Sequence, residues 1–231
     1  MTEARTIPEE TSASRTEDLT RARPAVEHWL RWSGLVPLPA FLLLHLGVEL
    51  YRAFPADLRD VQRAAPGVVV TVASLLLVWV PLGLHLTLGA WLLVSKRSLS
   101  SAAEPAERVP SLLSRWSALP AALFVLWHGQ SYLLAVWLGD ADARDAGFRL
   151  VAELSSTRFG IPLSGAGYLL GLAATCTHAG LGVHRALLAQ GYLASPGRRQ
   201  LSARACSGFG LLCFGVGAAA VIRVASGVLL R

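Results

Sequence analysis

Five stretches of this chain are long and nearly free of charge, and they restrict its fold more than any other feature. They run over about 34–52, 68–94, 117–139, 162–190 and 206–230. Roughly 20 apolar residues in a helix cross the hydrocarbon core of a bilayer. Within lipid every backbone N–H and C=O needs a partner inside the segment, which a helix supplies. The pattern predicts an all-α integral membrane protein with five transmembrane helices. Composition agrees: 53% of residues are hydrophobic and 16% charged, whereas charged residues make up about a quarter of a soluble domain. Residues 1–24 are Thr-, Glu-, Ser-, Arg- and Pro-rich and lack an apolar run. They are expected to be a disordered N-terminal segment on the cytoplasmic side, with no signal peptide. Residues 25–231 form the five-span membrane domain.

Lys and Arg give the expected orientation. With the N-terminus inside, 13 of the 21 basic residues fall on the cytoplasmic side, which favours N-in and C-out. The formal charge of +6 suits cytoplasmic helix ends and does not call for nucleic acid. Residues 25–33 read as a short interfacial lead-in, with Trp29, Trp32 and Arg31 at headgroup level and His28 solvated. Pro37, Pro39 and Pro120 fall near span starts, where proline is tolerated. Pro81 falls inside the second span and is expected to kink it. Cys176, Cys206 and Cys213 lie in apolar segments outside any CxxC or CxxCH pattern. Disulfides and covalently attached haem are not expected, and packing between helices is the reading for all three.

Four of the five spans carry one deep histidine each: His45, His85, His128 and His178. An imidazole in hydrocarbon is costly and marks a partnered or functional position. Around His178 the small residues Ala179, Gly180 and Gly182 leave room for a large flat group. A weak internal repeat is also visible. Arg31-Trp32-Ser33-Gly34 precedes His45, and Arg115-Trp116-Ser117-Ala118 precedes His128. His85 is followed four residues on by Gly89, and His178 by Gly182. Arg-Trp-Ser itself reads as an interfacial anchor. The repeated placing of histidines on both arms of two hairpins asks for more.

Depth sorts the four into two levels. Counted from the outer ends at 1.5 Å per residue, His85 and His178 lie about 11 Å deeper than the level of His45 and His128. In a four-helix bundle with short connections, the first and third spans lie diagonally, as do the second and fourth. Each diagonal pair then places two imidazoles at one level, as two bis-histidine b haems in a bundle core require. The clustered surface boxes of histidine-rich hydroxylases are absent from the sequence. A transporter is expected to carry acidic residues within its spans.

The stretches Ser33-Gly34-Leu35-Val36-Pro37-Leu38, Phe41-Leu42-Leu43-Leu44-His45-Leu46 and Val80-Pro81-Leu82-Gly83-Leu84-His85 carry a family resemblance. So do Leu154-Ser155-Ser156-Thr157, Gly160-Ile161-Pro162-Leu163, Tyr168-Leu169-Leu170-Gly171 and His178 to Gly182. In their order and spacing, over roughly 25–230, they resemble the single-subunit dihaem cytochrome b anchor of succinate dehydrogenases and fumarate reductases. The resemblance implies that His45, His85, His128 and His178 are haem-iron ligands. It implies a quinone as electron-transfer substrate, and a flavoprotein and an iron–sulfur subunit as cytoplasmic partners. It implies location in the inner (cytoplasmic) membrane. Two departures stand out: Gly129-Gln130-Ser131-Tyr132 follows His128, and Cys176 occupies a position where some fumarate reductases of this kind carry glutamate.

The sequence reading is therefore a membrane-anchor subunit that passes electrons through two b haems to quinone and does no succinate chemistry alone. The alternatives are a cytochrome b anchor of a formate dehydrogenase or hydrogenase, and a haem-free small-solute transporter. Glu49, one turn beyond His45, is the candidate proton donor or acceptor near the quinone; the alternative is a carboxylate emerging into water beside Arg52. Asp140, Asp142 and Asp145 read as solvated loop surface. His184 lies about 120° round the helix from His178 and beside Arg185, so it is expected at the interface, in reach of water.

Overall fold

The structure is a computed structural model, and it describes residues 24–35, 37–53, 72–73, 75–94, 105–130, 150–157 and 160–226. Residues 1–23 of the expected disordered segment, the start of the second span, the end of the third, the end of the fifth and the Asp140–Asp145 loop lie outside the described residues.

We number the main helices α1 (24–35), α2 (Pro37–Ala53), α3 (Val80–Val94), α4 (Pro105–Gly129), α5 (Leu163–Ala189) and α6 (Pro196–Ala225). The described residues contain no β-strand. Four helical stretches are long and apolar enough to cross a membrane: Pro24–Glu49, Leu75–Leu92, Leu163–Ala189 and Pro196–Ala225. Their outer faces carry large apolar side chains: Leu44, Leu77, Leu170 and Leu211 are each about two thirds or more exposed. Such surfaces suit lipid rather than water. The chain is consistent with a multi-pass membrane protein.

Three helices start or break differently from the sequence expectation. The lead-in over 25–33 belongs to the first crossing helix, which starts at Pro24 and carries an Arg31–Glu27 ion pair one turn apart at 2.9 Å. Helix α4 starts at Pro105, about three turns before the expected span. Pro120 consequently sits in the helix interior, where its missing N–H leaves the Trp116 carbonyl without its usual donor. The irregularity expected from Pro81 takes the form of a π-helical turn, Leu75–Trp79, immediately before α3. A proline at 81 cannot bond back to the carbonyl of Leu77, and a wider turn absorbs the misfit.

Helix α5 packs against both α4 and α6, and α6 against α2. The α5–α6 crossing is made by a matched pair of small residues. A Cβ at Gly180 would meet the Cys206 carbonyl oxygen at 2.6 Å, and one at Gly210 would meet the Cys176 carbonyl oxygen at 2.8 Å. Each helix thus offers a Cys-x-x-x-Gly turn to the other, and the backbones touch. Gly180 is used for this contact rather than for open space beside His178. Gly182 does leave room, with nothing within 4 Å of an added Cβ. Gly217 admits the ends of Leu46 and Leu172, so α2, α5 and α6 share a core of Leu46, Leu172, Cys176 and Cys213. The cysteines are free and two are buried, as their packing role requires.

The link from α5 to α6 is short and closed by hydrogen bonds. Gly191 has φ +79°; its N–H donates to Leu188 O and that of Tyr192 to Leu187 O, at 3.0 and 3.2 Å. This is a Schellman ending, which glycine's left-handed conformation permits. Ser195 then caps α6, its hydroxyl oxygen accepting from Arg198 N, with Pro196 in the first turn.

Candidate functional site: two histidine pairs

The four deep histidines meet in two pairs. His45 of α2 faces His128 of α4, with ring centroids 5.9 Å apart. His85 of α3 faces His178 of α5, with centroids 6.1 Å apart. These are the pairings expected from depth and helix order. All four rings are partly buried.

In the pair expected at the inner level and called inner below, His85 and His178, both rings are held by backbone carbonyls. His85 Nδ1 donates to the Leu30 carbonyl oxygen at 3.1 Å. Ser33 Oγ lies 3.3 Å from the same nitrogen. His178 Nδ1 donates to the Ser114 carbonyl oxygen at 3.0 Å. A carbonyl oxygen only accepts, so each Nδ1 carries the proton, and Nε2 of each neutral ring keeps a free lone pair. Gly34 makes the approach of His85 possible: a Cβ there would lie 2.6 Å from His85 Cε1. Arg185 Nη1 donates to the Ser114 hydroxyl at 3.2 Å. Nε of the neighbouring Arg115 is buried and has no hydrogen-bond partner among the described residues.

The outer pair is held by aromatic rings. His45 stacks on Phe41 at 5.2 Å and 14°, and His128 stacks on Phe124 at 5.8 Å and 12°. Each phenylalanine lies four residues before its histidine, one turn below it on the same face. His128 Nδ1 lies 3.3 Å from the Tyr168 hydroxyl, and Tyr168 also meets Phe124 and Trp127 edge-on. Helix α5 approaches α4 closely here, because a Cβ at Gly171 would overlap the Phe124 ring. Glu49 is half-buried on α2, one turn beyond His45. The side chain of Arg52, its expected neighbour, lies outside the described residues.

His184 departs from expectation. It is buried, at 8% exposure, and its Nδ1 lies 3.0 Å from Ser202 Oγ of α6. The cause is the close α5–α6 crossing, which covers a position that the helix register alone leaves near water. His28 is exposed beside Trp29 and Trp32, as expected.

Among the described residues no group of three or more His, Cys, Asp or Glu side chains could hold a metal ion; the histidines come in twos. The chain matches no family model, no curated protein and no solved structure.

Proposed function

We propose that this chain is a membrane cytochrome b that holds two b haems, one between each histidine pair, and passes electrons across the membrane to a quinone. The observation carrying the reading is the pairing itself: four histidines from four helices meet in two facing pairs, with centroids close to 6 Å apart. Metal–imidazole bonds of about 2 Å on either side of one metal separate two rings by about that much. The carbonyl bonds on Nδ1 in the inner pair leave Nε2 available, as a ligand histidine needs. Arg115 and Arg185 supply positive charge near the inner pair, suited to the carboxylates of a haem. When bound, the haems supply one-electron relay at two depths.

The chain's own residues then have separate duties. His85 with His178, and His45 with His128, hold the metal centres. Phe41 and Phe124 fix the planes of the outer rings. Glu49 exchanges protons with quinone at the outer level. The resemblance to the dihaem anchors of succinate dehydrogenases and fumarate reductases makes that complex the preferred setting. Its flavoprotein and iron–sulfur subunits would bind on the cytoplasmic side, and haems held by the inner and outer pairs would supply the one-electron path to quinone. The fifth span, here α6, braces α2 and α5.

Co-purification from native membranes tests the setting. A flavoprotein that oxidises succinate, together with an iron–sulfur protein, supports it. Recovery with a formate-oxidising or hydrogen-oxidising partner would replace it with the anchor of another dehydrogenase.

A further inference from the structure

The Arg-Trp-Ser repeat has a second use that its sequence does not advertise. Trp32 and Trp116 are exposed, as anchors should be, but Ser33 and Ser117 are buried. Each serine hydroxyl donates back three residues along its helix, Ser33 to the Leu30 carbonyl at 3.0 Å and Ser117 to the Ser114 carbonyl at 3.2 Å. Those two carbonyls are also the acceptors for His85 and His178. In both halves of the chain the accepting residue immediately precedes Arg-Trp-Ser. The flanking residues differ, yet in both segments one carbonyl joins a serine hydroxyl to an imidazole Nδ1; in the first, Ser33 Oγ also lies 3.3 Å from the ring nitrogen.

We infer that the two Arg-Trp-Ser segments form the positioning shell of the inner histidine pair. The carbonyls of Leu30 and Ser114, each fixed by the serine three residues on, hold His85 and His178 in the Nδ1-protonated form and present Nε2 to the metal centre. Ser33 and Ser117 are positioning residues: they touch the carbonyl rather than the metal. A carbonyl that accepts two donors is fixed in direction, and a ring bonded to it loses rotation about its own axis. Outer-shell partners of ligand histidines commonly set both ring orientation and ligand basicity. The inference rests on the haem reading for the identity of the metal centre, while the tautomer of the rings does not depend on it.

The test compares the intact protein with a Ser33→Ala/Ser117→Ala double variant and a Ser33→Thr/Ser117→Thr control. In the alanine variant the potential and low-spin resonance of the inner haem shift, and that haem is lost to apomyoglobin about tenfold faster. The outer haem keeps its potential and its rate, and the threonine control stays close to the parent. Ring-nitrogen NMR of the reduced parent protein shows His85 and His178 protonated at Nδ1. An unchanged inner haem in the alanine variant overturns the inference, as does an equal shift of both haems. Protonation at Nε2 overturns it as well. A parent protein purified without haem would defeat the proposed function, and the ring-nitrogen spectrum would still decide this inference by the same criterion.

Discussion

The inner and outer histidine pairs solve one problem by different means. Each must keep two imidazoles facing each other in an apolar interior. At the inner level the ring nitrogens are tied to backbone carbonyls of another helix, Leu30 of α1 and Ser114 of α4. At the outer level the ring faces are stacked on phenylalanines of the same helix. A hydrogen bond from Nδ1 fixes the proton as well as the plane, whereas stacking fixes the plane alone. The inner pair therefore has its unprotonated nitrogen, Nε2, chosen by the fold. In the outer pair the Nδ1 of His128 lies beside the Tyr168 hydroxyl, which can donate or accept and so does not choose the tautomer as a carbonyl does. One level is governed by main chain that mutation cannot delete, and the other by groups that single substitutions remove.

With two haems held as proposed, the largest effects come from the four histidines themselves. His178→Ala or His85→Ala removes the inner haem and leaves the outer, so haem content falls by half. His45→Ala or His128→Ala does the converse. Haem quantitation with the low-temperature spectrum checks both, and loss of both haems from each variant would mean that the levels are not independent.

Next in size is Gly34→Val. A side chain there collides with the His85 ring, whose Cε1 lies 2.6 Å from the position of an added Cβ. The inner haem is lost or becomes high-spin while the outer persists. Gly180→Val provides the contrast, since it drives a side chain into the Cys206 carbonyl and parts α5 from α6. Overpacking of this kind costs about 1–3 kcal/mol, and it lowers the melting temperature of the whole protein without selecting either level.

Much of this arrangement was legible in the sequence. One histidine in each of four apolar stretches, sorted by depth, gave the pairs that the structure brings together. Helix starts were less legible: Pro24 and Pro105 open their helices well before the apolar runs begin, because polar first turns do not enter a hydropathy pattern. The serines of Arg-Trp-Ser were visible as a repeat, but their partners are main-chain atoms, which no residue pattern names. The spacing Phe-x-x-x-His at Phe41 and Phe124 was visible too, and it meets the ordinary rule that residues four apart share a helix face. Tyr168 and the burial of His184 depend on how closely α5 meets α4 and α6. Such approaches are set by glycines whose neighbours lie on another helix, and they are not written in either segment alone.

At the outer level the expected effects are smaller. Tyr168→Phe removes the hydroxyl beside His128, so the outer potential shifts and the inner one stays. A redox titration resolving the two haems checks this; an equal shift in both would break the assignment of Tyr168 to one level. Glu49→Gln lowers quinone turnover by about a hundredfold or more, the usual range for loss of a general acid or base, and leaves haem content intact. Unchanged turnover removes Glu49 from the quinone site. The smallest effect belongs to His184→Ala, which loses a contact with Ser202 and keeps both haems, with the α5–α6 crossing slightly weakened.

The haem-to-protein ratio of the purified, unmodified chain counts the occupied histidine pairs outright. A pyridine-haemochrome assay against quantitative amino-acid analysis is predicted to give two b haems per chain, both low-spin in the oxidised spectrum. One haem per chain, or none, would contradict the two-level account.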